Sequence, residues 1–396
     1  MTMRRLALVL AALSGAGCSP LGMRSEPSPP PLPVPEPAIQ VEPVGYESLH
    51  GVGYLSPPPL DRYVDPIVSS SVMQDPDFQE SVSWWVDYWE TAARPWFPDF
   101  LRRMGVFEQT VDSALAEREL PPSLRYLPLI ESGYSPWASS HASAVGMWQF
   151  MAGTAREFGM EVGAFVDERR NPYKSTEAAV DFLEDLHGDF DSWYLALAAY
   201  NGGPNRARRI LREHAPLESP SDSLFWALRE HWPRETREFV PKLVGAIIVA
   251  RNPERFGYDA IQPADPLRFD YVRVPEATTM DVLAGAAETD EEEMRRLNPE
   301  LFRGFTPPGS EYLLRVPAGR AQQFALNYAA IPADRRMTVV EHSVASGETL
   351  SHIARRYGIS VSDLQAANPD VRPRYLRVGA TLTVPIFSVR TRTGSG

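Results

Sequence analysis

Near Pro263 the spacing of the apolar residues changes, and that change splits the chain into a helical body and a pair of small mixed units. Upstream, Ala178, Ala179, Phe182, Leu183 and Leu186 recur at helix spacing, with Gly188 as the expected stop. Asn171-Pro172 reads as a cap and first-turn pair. Asp191 reads as the cap of a helix through Trp193, Leu195, Leu197 and Ala198, and Asn201-Gly202-Gly203-Pro204 as a break before a helix over 206–213. Downstream, 269–274 alternates like a strand, 279–287 and 289–297 look helical, and 312–316 is again a strand; Thr289-x-x-Glu292 is the expected capping box of the second helix. The same order returns in a strand at 341–344, a helix at 349–357 stopped by Gly358, a helix opened by a Ser360-x-x-Asp363 box and running to Asn368, and a strand at 380–384. Asn298-Pro299 matches Asn368-Pro369, and Val316-Pro317 matches Val384-Pro385. Two copies are too few for a solenoid. The fold class is therefore α+β multidomain: a mainly helical domain over 75–260, with its motifs in 120–211, then separate βααβ modules at 266–318 and 338–387.

Ahead of that body, Arg4 and Arg5 precede an apolar run over 6–13, the small residues 14–17 and the sole cysteine, Cys18. This is an export-signal pattern over 1–18, and it is shorter than the roughly 20 residues that span a membrane. Residues 19–74 open on a proline-rich stretch and read as an extended linker without a core. A formal net charge of -12 argues against a nucleic-acid partner. One cysteine makes no internal disulfide, and no Cys/His cluster has ligand spacing, so neither a metal nor another cofactor is expected.

Chemistry enters at Tyr126-Leu127-Pro128-Leu129-Ile130-Glu131-Ser132-Gly133-Tyr134, where one carboxylate closes an apolar run just before a break. Desolvation there raises a carboxyl pKa, as a general acid working near neutrality requires. On this segment alone, a glutamate that merely solvates a helix end is the plainer reading. Gly146-Met147-Trp148-Gln149-Phe150 and Ala199-Tyr200-Asn201-Gly202-Gly203 then add amides, a phenol and flat faces of the kind that suit N-acetyl sugars. Trp84, Trp85, Tyr88, Trp89, Trp96, Phe97 and Phe100 crowd together upstream, open to a core reading or to a sugar-stacking groove.

In this order the motifs resemble the lytic transglycosylases of the lysozyme-like superfamily, and the lead-in at 120–132 and the stretch 166–172 share the likeness, which covers about 75–251. The resemblance implies a lysozyme-like catalytic domain acting on peptidoglycan glycan strands, with Glu131 as catalytic acid/base and Ser132, Met147, Gln149, Tyr200 and Asn201 binding substrate. It implies cleavage of the β-1,4 bond between N-acetylmuramic acid and N-acetylglucosamine to a 1,6-anhydro end without consuming water. Asn171 departs from the family's usual Asp, at a position read as structural. The segment 344–354 resembles the opening of a LysM module, a binder of glycans containing N-acetylglucosamine; the first copy lacks its Ser-Gly-acid-Thr opening, which leaves glycan binding open beside a structural role. The surroundings of Cys18 resemble a lipoprotein signal, with Gly15 where that family usually has Leu. That likeness implies acylation of Cys18, a membrane anchor, and a location at the periplasmic face of the outer membrane or in the periplasm. Two alternatives stay open: a muramidase that uses water, with Asp167 as second carboxylate, and a non-catalytic peptidoglycan-binding lipoprotein.

Overall fold

The computed structural model describes residues 64–385 except 164, 259–260, 308–309, 337–338, 358, 370 and 374–375. Cys18, the signal pattern, most of the expected linker and the Gly358 stop lie outside the described residues. Helices α1 (Pro76–Glu90), α2 (Phe97–Glu117), α3 (Leu127–Ser132), α4 (Ala152–Glu157), α5 (Pro172–Phe190), α6 (Trp193–Gly202), α7 (Pro204–His214), α8 (Asp222–Ala227) and α9 (Arg234–Arg251) build the helical domain. Its centre is α6. Every residue from Trp193 to Ala199 is buried, as befits a helix apolar on all sides, and α5, α7, α8 and α9 pack around it.

The expected linker ends earlier than 74. Asp65 accepts hydrogen bonds from the Ile67 and Ser123 amides at 3.1 and 2.9 Å, Ile67 and Val72 are buried in the core, and Tyr194 donates to the Ile67 carbonyl at 2.9 Å. A few anchoring side chains outweigh a composition averaged over the whole segment. Two helix signals also shift. α5 continues through Gly188 to Phe190, because a lone glycine costs only about 1 kcal/mol in a packed helix. Asp191 ends α5 in the left-handed region at φ 45°, and Ser192 caps α6 by accepting from the Leu195 amide.

Beyond the helices, β1 (Phe269–Val274), α10 (Met280–Ala286), α11 (Glu291–Leu297) and β2 (Tyr312–Pro317) form the first module, and α12 (Ala321–Ala330) extends it past the expected end at 318. Phe324 and Tyr328 of α12 are buried in the module core. The cap of α11 is Asp290, accepting from the Glu293 amide at 2.7 Å, and not Thr289. β3 (Val339–Ser343), α13 (Leu350–Tyr357), α14 (Val361–Ala366) and β4 (Thr381–Pro385) form the second, where the Ser360–Asp363 capping box is present in full. Each strand pair is antiparallel, with Phe269 opposite Pro317 and Val339 opposite Pro385. The repeated Asn-Pro has a physical reason. Asn298 donates to the Met294 and Arg315 carbonyls and accepts from the Arg315 amide; Asn368 does the same with Leu364 and Thr383, so each asparagine ties the second helix to the returning strand.

The first module is not the separate unit expected. Val166, from the loop before α5, lies in its core. The Asp167 amide donates to the Glu300 carbonyl at 3.1 Å, and Asn171 donates from Nδ2 to Glu300 Oε1 at 3.3 Å. Glu300 is itself buried against Arg315, whose guanidinium stacks over Tyr173 and Phe269. Arg303 of this module pairs with Asp363 of the second.

Candidate active site

Helix α3 is short because the sequence ends it at both sides. Pro128 occupies the first turn, where no N–H is needed, and Gly133 terminates the helix at φ +61°. Glycine is required there twice over, since a Cβ would also lie 2.3 Å from the Phe100 ring. Leu127, Leu129 and Ile130 are buried, so Glu131, half-buried, is where the helix meets the surface. Ser132 fastens the turn: its Oγ donates to the Met147 carbonyl at 2.7 Å and accepts from the Ser135 amide at 3.1 Å.

Across from this turn, Lys242 of α9 donates from Nζ to the Ile130 carbonyl at 2.9 Å, satisfying one of the carbonyls at the end of α3. Enclosure by protein raises the Glu131 carboxyl to about 7; the Lys242 ammonium opposes that shift and the Glu235 carboxylate adds to it. Burial in turn lowers Lys242, against the pull of Glu131 and Glu235. Tyr200 stands close enough for Glu131 to help raise its phenol well above the ordinary value, after burial, and it donates to the Trp148 carbonyl at 2.7 Å.

The 146–150 turn is bonded to the active-site turn through the Met147 carbonyl. Gly146 has φ +86°, and a Cβ there would lie 1.8 Å from the Arg169 carbonyl oxygen. Gln149 takes φ +52° and donates from Nε2 to the Gly146 carbonyl at 2.8 Å, while the buried Trp148 donates to Thr176 Oγ1 at 3.0 Å. Asn201 accepts from Thr236 Oγ1 at 2.9 Å. Glu131, Ser132, Gln149, Tyr200 and Asn201 are thus half-buried groups held by the same few turns and helix ends. Met147 differs: its side chain is fully buried in the core, and what it offers this site is the carbonyl that holds Ser132.

Lys242, Glu235 and Thr236 are absent from the sequence reading, being far along the chain from Glu131. The available signal was a lone lysine between Pro241 and Leu243, both buried, in an otherwise apolar stretch of helix. Asp167, the candidate second carboxylate, is buried and bound by Arg169 through both oxygens at 2.8 Å.

Family models match three segments: the transglycosylase SLT domain over 110–219, the LysM-like domain of lytic transglycosylase MltD over 268–333, and the LysM domain over 342–385. The membrane-bound lytic murein transglycosylase D of Escherichia coli (strain K12) is 31% identical over 281 residues, which are 68% of this chain and 61% of that protein. This chain therefore spans about three fifths of that curated relative's length. Peptidoglycan transglycosylase gp16 of Escherichia phage T7 is 36% identical over 104 residues, 26% of this chain and 8% of that protein. The 70 kDa soluble lytic transglycosylase Slt70 of E. coli aligns at a TM-score of 0.33 with 23% identity, over 45% of this chain and 29% of that one, too distant to carry an argument. The chain thus carries a helical transglycosylase SLT domain followed by an MltD-type LysM-like domain and a LysM domain.

Proposed function

We propose that this protein cleaves peptidoglycan glycan strands as a lytic transglycosylase, with Glu131 as its single acid/base. The observation that carries the reading is one carboxyl, half-buried at the end of α3, that enclosure holds protonated up to about pH 7. Glu131 gives its proton to the glycosidic oxygen as the bond from that oxygen to the muramyl anomeric carbon breaks, and the muramyl 2-acetamido group assists at that carbon. The same sugar's 6-hydroxyl oxygen then bonds to the anomeric carbon and its proton returns to Glu131. The product is a 1,6-anhydro end, and no water is used. Tyr200 and Asn201 orient the substrate, a role that fits a phenol and an amide already fixed by their partners.

The water-using alternative would take Asp167 as its second carboxylate. That residue is engaged on both oxygens by Arg169. Asp112, likewise raised to about 7 by burial, is held against Arg125 at 2.5 Å. The second LysM module grips the same polymer, and acylated Cys18 anchors the chain at the periplasmic face of the outer membrane; the description of the E. coli relative as membrane-bound supports an anchor. Among the described residues no helix is long and apolar enough to cross a membrane. Replacing Glu131 with Gln is expected to lower lysis of purified sacculi at least about a hundredfold while the protein still sediments with them. Substantial residual lysis would contradict the assignment.

A further inference from the structure

The aromatic crowd upstream of the active-site turn divides into two sets. Trp89 and Phe97 are 2% and 0% exposed and belong to the core. Trp84 is 56% exposed, an indole left largely in water although burial is worth more for such a side chain than for almost any other. It is nevertheless oriented, lying 5.9 Å from Tyr88 with the rings within 9° of parallel, and edge-on to Trp85 at 4.8 Å. Trp85 is pinned by its Nε1–H, which donates to Glu238 Oε2 at 3.2 Å. From Tyr88 the ridge continues to Trp96 at 6.1 Å and on to Phe100 at 4.9 Å, each half-buried.

This ridge meets the residues on both sides of Glu131. Phe100 packs so closely on Gly133 that a Cβ would collide with its ring, and Lys242 stands 5.8 Å from the Trp85 ring centre while donating to the Ile130 carbonyl. We propose that Trp84, Tyr88, Trp96 and Phe100 form an extended subsite for the glycan strand under cleavage, leading away from Glu131 along α1; this rests on the active-site reading above. Pyranose rings present flat C–H faces, and rigid aromatic rings cover such faces at little cost in side-chain entropy. The occupant is the glycan polymer because the ridge is continuous with the site that would cut it, and a row of aromatic faces suits a row of repeating sugars.

The test is steady-state cleavage, by the full chain, of peptide-free glycan strands graded in length. Trp84→Ala is expected to lower kcat/KM on long strands about tenfold, the loss that follows truncation of one aromatic anchor. The deficit should shrink as strands shorten, and Trp84→Phe should recover most of it. Leu217→Ala, at an apolar residue 96% exposed outside the ridge, serves as the unaffected control. An equal deficit at every length, or none, overturns the subsite. Flat kinetics together with lost binding to phosphatidylglycerol vesicles would assign the ridge to a lipid surface instead. Glu131→Gln, run in parallel, separates the two failures: if it still cleaves, the active-site reading falls, whereas if it is inert and Trp84→Ala shows no length dependence, only the subsite falls.

Discussion

At Glu131 function and stability pull in opposite directions. The folded chain holds this carboxyl near 7 against an ordinary 4.5, so folding favours the neutral form. That contribution is complete below about pH 4.5 and is lost as the pH rises through 7, at a cost of about 3 kcal/mol for the shift. Glu131→Gln, which cannot ionise, should therefore gain on the wild type in thermal melts between pH 5 and 7, with the gain levelling off above. In the wild type, kcat/KM should fall as the pH passes 7, because the acid is then empty. Lys242 pulls the carboxyl down, so Lys242→Met should move that falling limb to higher pH, as a pH–rate profile would register. The candidate acid was legible only through its company: the 126–134 segment alone reads as a glutamate solvating a helix end, and it is the order of the three motifs that marks Glu131. Its electrostatic neighbours were not legible, because Lys242 and Glu235 reach it only through the packing of α9 against α3.

Among the elements, some signals carried by a few adjacent residues were readable, one slipped by a residue (Asp290 and not Thr289 caps α11), and those that depend on tertiary contacts were not. Asn171-Pro172 caps α5 and Ser360 opens α14 as the sequence predicts. The stop at Gly188 and the cap at Asp191 failed because α5 is held in place by its buried face, which a local rule does not see. Asn171 also explains its departure from the family pattern. Its Oδ1 accepts from the Tyr173 and Lys174 amides as a cap should, while Nδ2 donates to Glu300. Asn171→Asp would keep the cap and lose the donor, setting a second carboxylate against Glu300 in a buried site. A loss of about 2 kcal/mol is expected in denaturant unfolding; an unchanged midpoint would remove Asn171 from the module contact.

For the molecule as a whole, the βααβ repeat was visible, but not the fusion of its first copy to the helical domain, which rests on Val166, Asn171 and Glu300 meeting across the chain. Deleting 268–333 should therefore lower the melting temperature of the helical domain by exposing Val166 and Tyr173. Deleting 342–385 should leave that temperature unchanged and weaken retention on sacculi. The account depends most on where the returning proton comes from: a sugar hydroxyl or a water. Mass spectrometry of the fragments released from purified sacculi reads this directly. Muramyl ends lighter by one water than reducing ends are the predicted result, and reducing ends from a Glu131-dependent digestion would contradict it.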